Sequence, residues 1–275
     1  MGGFWDEDNR EAPSLVALYA RGAWCAGRAL LLNVRAVLSA ATPRLWAAYA
    51  LLNVAFPASS AYRICHWSRE ADVGAGPGEL TYGETLFGSA IRILRHVQIR
   101  PGERVLELGA GRGIVALVAA IVFRADVHAF DVLWPFVRRG RLVARILCLS
   151  NLHWHRQDLA TVSLENADVV YLAGTCLQEA RRELVADHVQ ALKPGARIAS
   201  VSEPIASVDL EELGELELDF SWGKSRVYFQ QRRARTPEES GHRDDETRPR
   251  RSTESANSVS FRSILNEASS RNRTA

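Results

Sequence analysis

Apolar positions along this chain follow three regimes. From residue 12 to 70 they are dense and helically spaced, in segments rich in Ala, Leu and Arg. From 78 to 231 short apolar runs alternate with amphipathic stretches. From 232 to 275 they nearly vanish. In the middle regime the spacing of Leu86, Ala90, Ile93, Leu94 and Val97 predicts a helix over 85–97. Pro101-Gly102 predicts a turn, 105–108 a buried strand and 114–123 an apolar helix. Further strands are expected at 127–130, 152–156, 168–173 and 197–201, with helices at 135–149 and 177–192. Two runs, 216–220 and 226–231, flank Trp-Gly-Lys-Ser and predict an antiparallel hairpin. Strands alternating with helices imply a doubly wound, mostly parallel α/β sheet covered on both faces.

The regimes predict three parts: a helical extension over 1–77, an α/β domain over 78–231 and a polar tail over 232–275. The tail has ten arginines, seven acids and one aromatic, Phe261. It cannot bury enough apolar surface to offset its ordering entropy, so disorder is expected there. In the extension, Arg21, Arg28 and Arg35 recur every seven residues and form one stripe on a helix, bracketed by Pro13 and Pro43. Arginines in such a stripe argue against a transmembrane span. The segment is expected to cover the α/β domain with its arginines solvated. Residues 14–56, which include a second apolar run at 45–56, leave a peripheral membrane contact open.

The charge balance, 34 basic against 32 acidic residues, argues against a specific nucleic-acid partner. Cys25, Cys65, Cys148 and Cys176 show no metal or redox spacing, which suits reduced thiols in a cytoplasmic protein. The N-terminus lacks the basic region of a secretory signal. His153 and His155 share a strand face, but no third ligand is in view, so no metal is expected.

The chemistry concentrates in Val-Leu-Glu-Leu-Gly-Ala-Gly-Arg-Gly, residues 105–113. A buried strand runs into Gly109, Gly111 and Gly113 and then directly into a helix. Such a turn sits at the carboxyl end of a parallel strand, where α/β sheets bind ligands, and glycine lets a ligand approach the backbone. The spacing differs from the dinucleotide fingerprint, because Ile114 stands where its third glycine would be. Glu107 precedes the loop and would repel a pyrophosphate. It suits a ligand with a positive amino group and sulfonium, as in S-adenosylmethionine (SAM). Asp131, closing the second strand, is positioned to accept ribose hydroxyls. Asp158, after the third strand, can accept an adenine amino group.

Taken with Leu-Lys-Pro-Gly-Ala-Arg at 192–197, these segments resemble class I SAM-dependent methyltransferases over about residues 80–231. Tyr82-Gly83-Glu84-Thr85 is similar to a motif of the non-SET lysine methyltransferases (the disruptor-of-telomeric-silencing family) and their bacterial relatives. Asp168-Val-Val-Tyr-Leu-Ala-Gly-Thr and Ser221-Trp-Gly-Lys-Ser also fit. The resemblance implies a seven-stranded class I sheet ending in an antiparallel hairpin, SAM as cofactor, and cofactor contacts from Tyr82, Glu84, Thr85, Glu107, Gly109, Gly111, Gly113, Asp131 and Asp158. Two departures bear on the acceptor. Ala173 and Gly174 stand where that family carries asparagines near the target amine, and Ile114 stands where it carries glutamine. The basic segment used on nucleosomes is also missing. The acceptor therefore stays open among a protein amine, a metabolite and a lipid headgroup. Tyr82, Glu84 and Thr175 are candidates near the transferred methyl, Glu203 a weaker one, and none is named as base. The alternatives are an NAD(P)-dependent oxidoreductase and a SAM-binding module without catalysis.

Overall fold

The computed structural model describes residues 15–40, 42–57, 60–68 and 78–234. The expectations for the tail beyond 234 lie outside the described residues. Three helices come first: α1 (Leu15–Ser39), α2 (Pro43–Ala55) and α3 (Ser60–Trp67). Then follow α4 (Phe87–His96), β1 (Arg104–Leu108), α5 (Ile114–Val122), β2 (Asp126–Asp131), α6 (Trp134–Ile146) and β3 (Leu152–Arg156). The chain continues through β4 (Val169–Leu172), α7 (Glu179–His188), β5 (Arg197–Val201), β6 (Leu210–Phe220) and β7 (Gly223–Arg232).

The strands form one seven-stranded sheet in the order β3-β2-β1-β4-β5-β7-β6. The first five are parallel and β7 runs antiparallel beside β5. This is the class I methyltransferase sheet expected from the sequence. The chain reverses its direction of travel across the sheet between β1 and β4, and this switch leaves a crevice at their carboxyl ends.

The two faces are covered unequally. One carries α4, α5 and α6, and its buried cluster continues outward into Val37, Leu45, Leu52 and Phe56 of α1 and α2 and the turn that follows. The three N-terminal helices therefore share the main core. The other face is covered by α7 and two short 3₁₀ turns, around Leu106, Val170, Val185 and Ile198. Between β5 and β6 the chain crosses as a loop.

Among the boundaries that differ from the sequence reading, four matter here. The helix expected from 85 starts at Phe87, because Thr85 instead bridges to Phe220 of the edge strand. The helix expected to reach 192 gives way to a 3₁₀ turn at Val189–Ala191. The hairpin runs well beyond the predicted runs, since the acid-rich start of β6 is an exposed edge in which charge guards against further pairing. Finally, the α/β domain extends past 231. Arg232 is 4% exposed and reaches Asp209 at 2.8 Å, so it belongs to the fold and not to the tail.

The arginine stripe also needs correction. Arg28 is partly buried and forms an ion pair with Asp219 of β6. It ties α1 to the sheet edge instead of lying in water.

Candidate functional site

A cavity of about 240 Å³ opens at the carboxyl ends of β1, β2 and β4. All nine residues proposed from the sequence line it: Tyr82, Glu84, Thr85, Glu107, Gly109, Gly111, Gly113, Asp131 and Asp158.

The floor follows from local chain geometry. The loop after β1 is closed by the Gly109 and Ala110 N–H groups, both donating to the Phe130 carbonyl of β2 (3.0 and 2.8 Å). Gly111 (φ 54°) and Gly113 (φ 73°) lie in the left-handed region, where a side chain is strained. The sequence suggested that these glycines make room for a ligand. At two of them the room is already taken by protein. A Cβ on Gly113 would meet the Trp154 ring at 2.5 Å, and one on Gly111 would meet Tyr82 at 3.2 Å.

Glu107, 3% exposed, points back at the start of α5 and accepts the Ala116 N–H at 2.8 Å. The first N–H groups of a helix have no partner within it, and here the glutamate supplies one. Burial still dominates and pushes its carboxyl up to about 8, with the nearby charge of Asp131 adding to the effect. Asp131 accepts the Gly111 N–H (2.7 Å) on one oxygen and the Leu133 N–H (2.8 Å) on the other. It thereby holds the glycine loop to the start of α6. Burial raises its carboxyl to about 6 despite both bonds.

The mouth is built from distant segments. Tyr82–Thr85 lies extended against the β6–β7 turn. The Ser221 N–H donates to the Glu84 carbonyl, and the Glu84 N–H donates to Ser221 Oγ, both at 2.9 Å. Trp222 stacks on Phe220 and covers Gly83 so closely that a Cβ there would sit 2.4 Å from the ring. The two segments singled out in the sequence are thus one structure. Glu84 is mostly buried and paired with Arg112 at 3.0 Å, and Tyr82 donates to it at 3.3 Å. Burial raises Glu84 and the Arg112 charge opposes that rise. Tyr82 is pushed well above its ordinary value by burial and by Glu84. Thr85 shares a 2.6 Å hydrogen bond with the buried Tyr171 hydroxyl of β4.

Asp158 has a different setting from the one proposed. Its Oδ1 accepts the Ala160 N–H (2.9 Å), capping a 3₁₀ turn, and also pairs with Arg181. Thr175 lines the cavity and accepts from the Ser202 hydroxyl at 3.2 Å. Glu203 does not line it. That side chain is 58% exposed and paired with Arg182, which removes it from the candidates near the methyl. His128 sits between His153 and His155, with its Nδ1 3.0 Å from His155 Nε2, and burial lowers both His128 and His155. Among the described residues no group of three or more potential ligands could hold a metal.

Sequence reasoning missed Arg112, Arg181, Phe136, Cys65 and Trp222 as cavity residues. Arg112 stands inside the glycine motif, so its position was visible although its partner was not. Cys65 comes from α3 in the extension, where burial pushes its thiol up to about 12. No local pattern marks it.

No protein-family model matches the chain. No curated protein matches it either. Among solved structures, TrmN from Thermus thermophilus is 22% identical, with 54% of this chain covering 49% of that one and a TM-score of 0.48. This chain thus spans about half the length of TrmN. An RNA methyltransferase from Salinibacter ruber in complex with S-adenosyl-L-homocysteine is 20% identical (54% of this chain, 93% of that one, TM-score 0.46). The putative methyltransferase yhhF from Escherichia coli is 14% identical (53% and 86%, TM-score 0.47).

Proposed function

We propose that the protein is a SAM-dependent methyltransferase whose cofactor lies in the cavity at the ends of β1, β2 and β4. The observation that carries this is the pair Glu107 and Asp131. Both are buried acids with raised carboxyls, and their hydrogen-bond partners are backbone N–H groups. A ligand bringing a positive amino group and hydroxyl donors fits such a floor. A pyrophosphate does not, which disfavours the NAD(P) oxidoreductase. Each carboxylate oxygen has a second lone pair, so Asp131 can hold the loop and still accept ribose hydroxyls. Val132, Leu133 and Leu159 provide an apolar slot for the adenine, with Asp158 at its edge.

SAM supplies an electrophilic methyl group on a sulfonium. The chain's part is to bind, orient and exclude water. Tyr82, Glu84 and Thr85 form the wall that would meet the methionine end. This arrangement supports kinship with the disruptor-of-telomeric-silencing family in the cofactor arm only, because Ala173 lines the cavity where that family's asparagine would stand. Burial keeps the proton on Tyr82, so its hydroxyl acts as a hydrogen-bond donor and not as a base. Placing a nucleophile about 3 Å from the methyl carbon in line with the leaving sulfur supplies much of the rate. A base is needed only for an acceptor that holds its proton at working pH. The four free thiols support action in the reducing cytoplasm.

Calorimetry with SAM, S-adenosylhomocysteine and NADH tests the reading. Binding of the first two and not the third is expected, and binding of NADH alone would overturn it. A methyl-labelling screen on cell extract then separates an enzyme from a non-catalytic SAM-binding module.

A further inference from the structure

Among the described residues nothing packs on the outer face of α1. Trp24, Leu31 and Leu38 recur every seven residues and are 67%, 68% and 58% exposed, with Leu30 and Val34 exposed beside them. The helix is not free to bury this stripe by rotating. Its inner face is held by Asn33, which accepts the Phe87 N–H at 2.9 Å, by buried Val37 and by the Arg28–Asp219 pair. A contiguous apolar surface left in water marks an interaction site.

Charge identifies what covers it. From Ala12 to Arg69 the sequence has no acidic residue, while it carries Arg21, Arg28, Arg35, Arg44, Arg63 and Arg69. On α1 each of the first three arginines lies three residues before one of the exposed apolar ones, so the charged and apolar stripes run side by side along the helix. The helices α2 and α3 add exposed Trp46, Tyr62 and Trp67, aromatic types that favour the boundary between headgroups and acyl chains. A second copy of this face would set Arg35, Arg44 and Arg63 against their counterparts, and residues 12–69 carry no acid to offset them. A nucleic acid would engage the arginines through phosphates and leave the leucines uncovered. Among the described residues no helix is long and apolar enough to cross a membrane.

We propose that the outer face of α1, α2 and α3 docks the protein on an anionic phospholipid surface, with the helices lying in the interface plane. Apolar side chains enter the acyl boundary, and Arg35, Arg44 and Arg63 meet lipid phosphates. The helix α3 lends Cys65 to the cavity wall, and its Tyr62, Arg63 and His66 line an adjoining cleft with Leu80, Thr81 and Tyr82. The docking surface and the cavity therefore share a helix. This inference is independent of what the cavity binds.

The test is co-sedimentation of the full chain, without SAM, with phosphatidylcholine vesicles and with vesicles containing about 30% phosphatidylglycerol. Pelleting with the anionic vesicles only, reduced by high salt, is expected. The variant Trp24→Ser/Leu31→Ser/Leu38→Ser should lower partitioning at least about a hundredfold. The variant Arg35→Gln/Arg44→Gln should lower it about ten- to thirtyfold. All these side chains are exposed, so both variants should keep the parent's circular dichroism and melting temperature, and a change in either calls for single substitutions read in the same assay. The proposal would be overturned by no pelleting with either vesicle, by equal pelleting with both, or by a dimer in sedimentation velocity that the apolar variant dissociates. Tighter association with RNA than with anionic vesicles would do so as well.

Discussion

The floor and the mouth of the cavity both hold acids, and only the mouth gives them full positive charges as partners. On the floor, Glu107 and Asp131 are held by backbone N–H groups of the glycine loop and the adjacent helix starts. At the mouth, Glu84 and Asp158 have arginine partners, Arg112 and Arg181, and Asp158 also accepts the Ala160 N–H. A backbone donor is partial in charge and cannot move away. An arginine is a full charge on a flexible stem. The floor therefore keeps its acids short of compensation until a cationic ligand arrives, while the mouth is already balanced.

This contrast is most severely tested by removing an arginine. Arg112→Ala leaves Glu84 buried without its partner and should destabilise the protein by about 3 kcal/mol, lowering the melting temperature by roughly 6–12 °C. Glu84→Gln in the same background should recover part of that loss. A melting temperature unchanged in the single variant would show that the pair is solvated. Next comes Asp131→Ala, which removes the acceptor for two N–H groups and for the ribose. S-adenosylhomocysteine affinity in calorimetry should fall by about 1.5–3 kcal/mol. Undiminished affinity would move the ribose elsewhere.

Glu107 gives a pH signature. Its carboxyl in the fold, about 8, stands above its ordinary 4.5, so the folded protein holds this proton more tightly than the unfolded chain. That contribution is complete below the ordinary value and is lost as pH rises through about 8. Asp131, raised to about 6, acts in the same direction at lower pH. The ligand-free protein should therefore lose melting temperature between pH 5 and 8. Glu107→Gln should flatten that slope and raise the value at pH 8 by about 2–4 °C, while weakening SAM binding. A wild-type melting temperature that climbs over this range would refute the account. The smallest effect is expected at Asp158→Asn. Arg181 keeps Glu79 at 3.1 Å, so stability should drop by less than about 1 kcal/mol. S-adenosylhomocysteine affinity should fall only a few fold, and a loss as large as that of Asp131→Ala would mean that the mouth acid carries the cofactor.

The same contrast explains what could be read from the sequence. Glu107 and its helix N-terminus lie nine residues apart, and Asp131 follows the loop by 20. These are distances that strand and helix lengths set, so the alternation of apolar runs located the floor and most of the sheet. Asp158–Arg181 and Cys65 against the cavity depend on which helices pack where, and side-chain partners of that kind leave no period. Tyr82–Thr85 was legible as a segment. Its anchoring on Ser221 was not, because the partner comes from the hairpin 137 residues later. The solvated arginine stripe failed at Arg28 for a related reason: heptad spacing fixes a common face and is silent about Asp219 across from it.

The Ser221 anchor also constrains the order of events during synthesis. Helices and the first parallel strands form from contacts near in sequence, whereas the wall of the cavity needs a pairing across 137 residues. Contacts of such separation form late and slow a chain's folding. On the ribosome the N-terminal parts emerge first, so β1, the glycine loop and β2 can be in place while the cavity still has only three sides. It closes when the last hairpin leaves the exit tunnel, and a nascent chain stalled before Phe220 should be folded in its first half and unable to retain the cofactor.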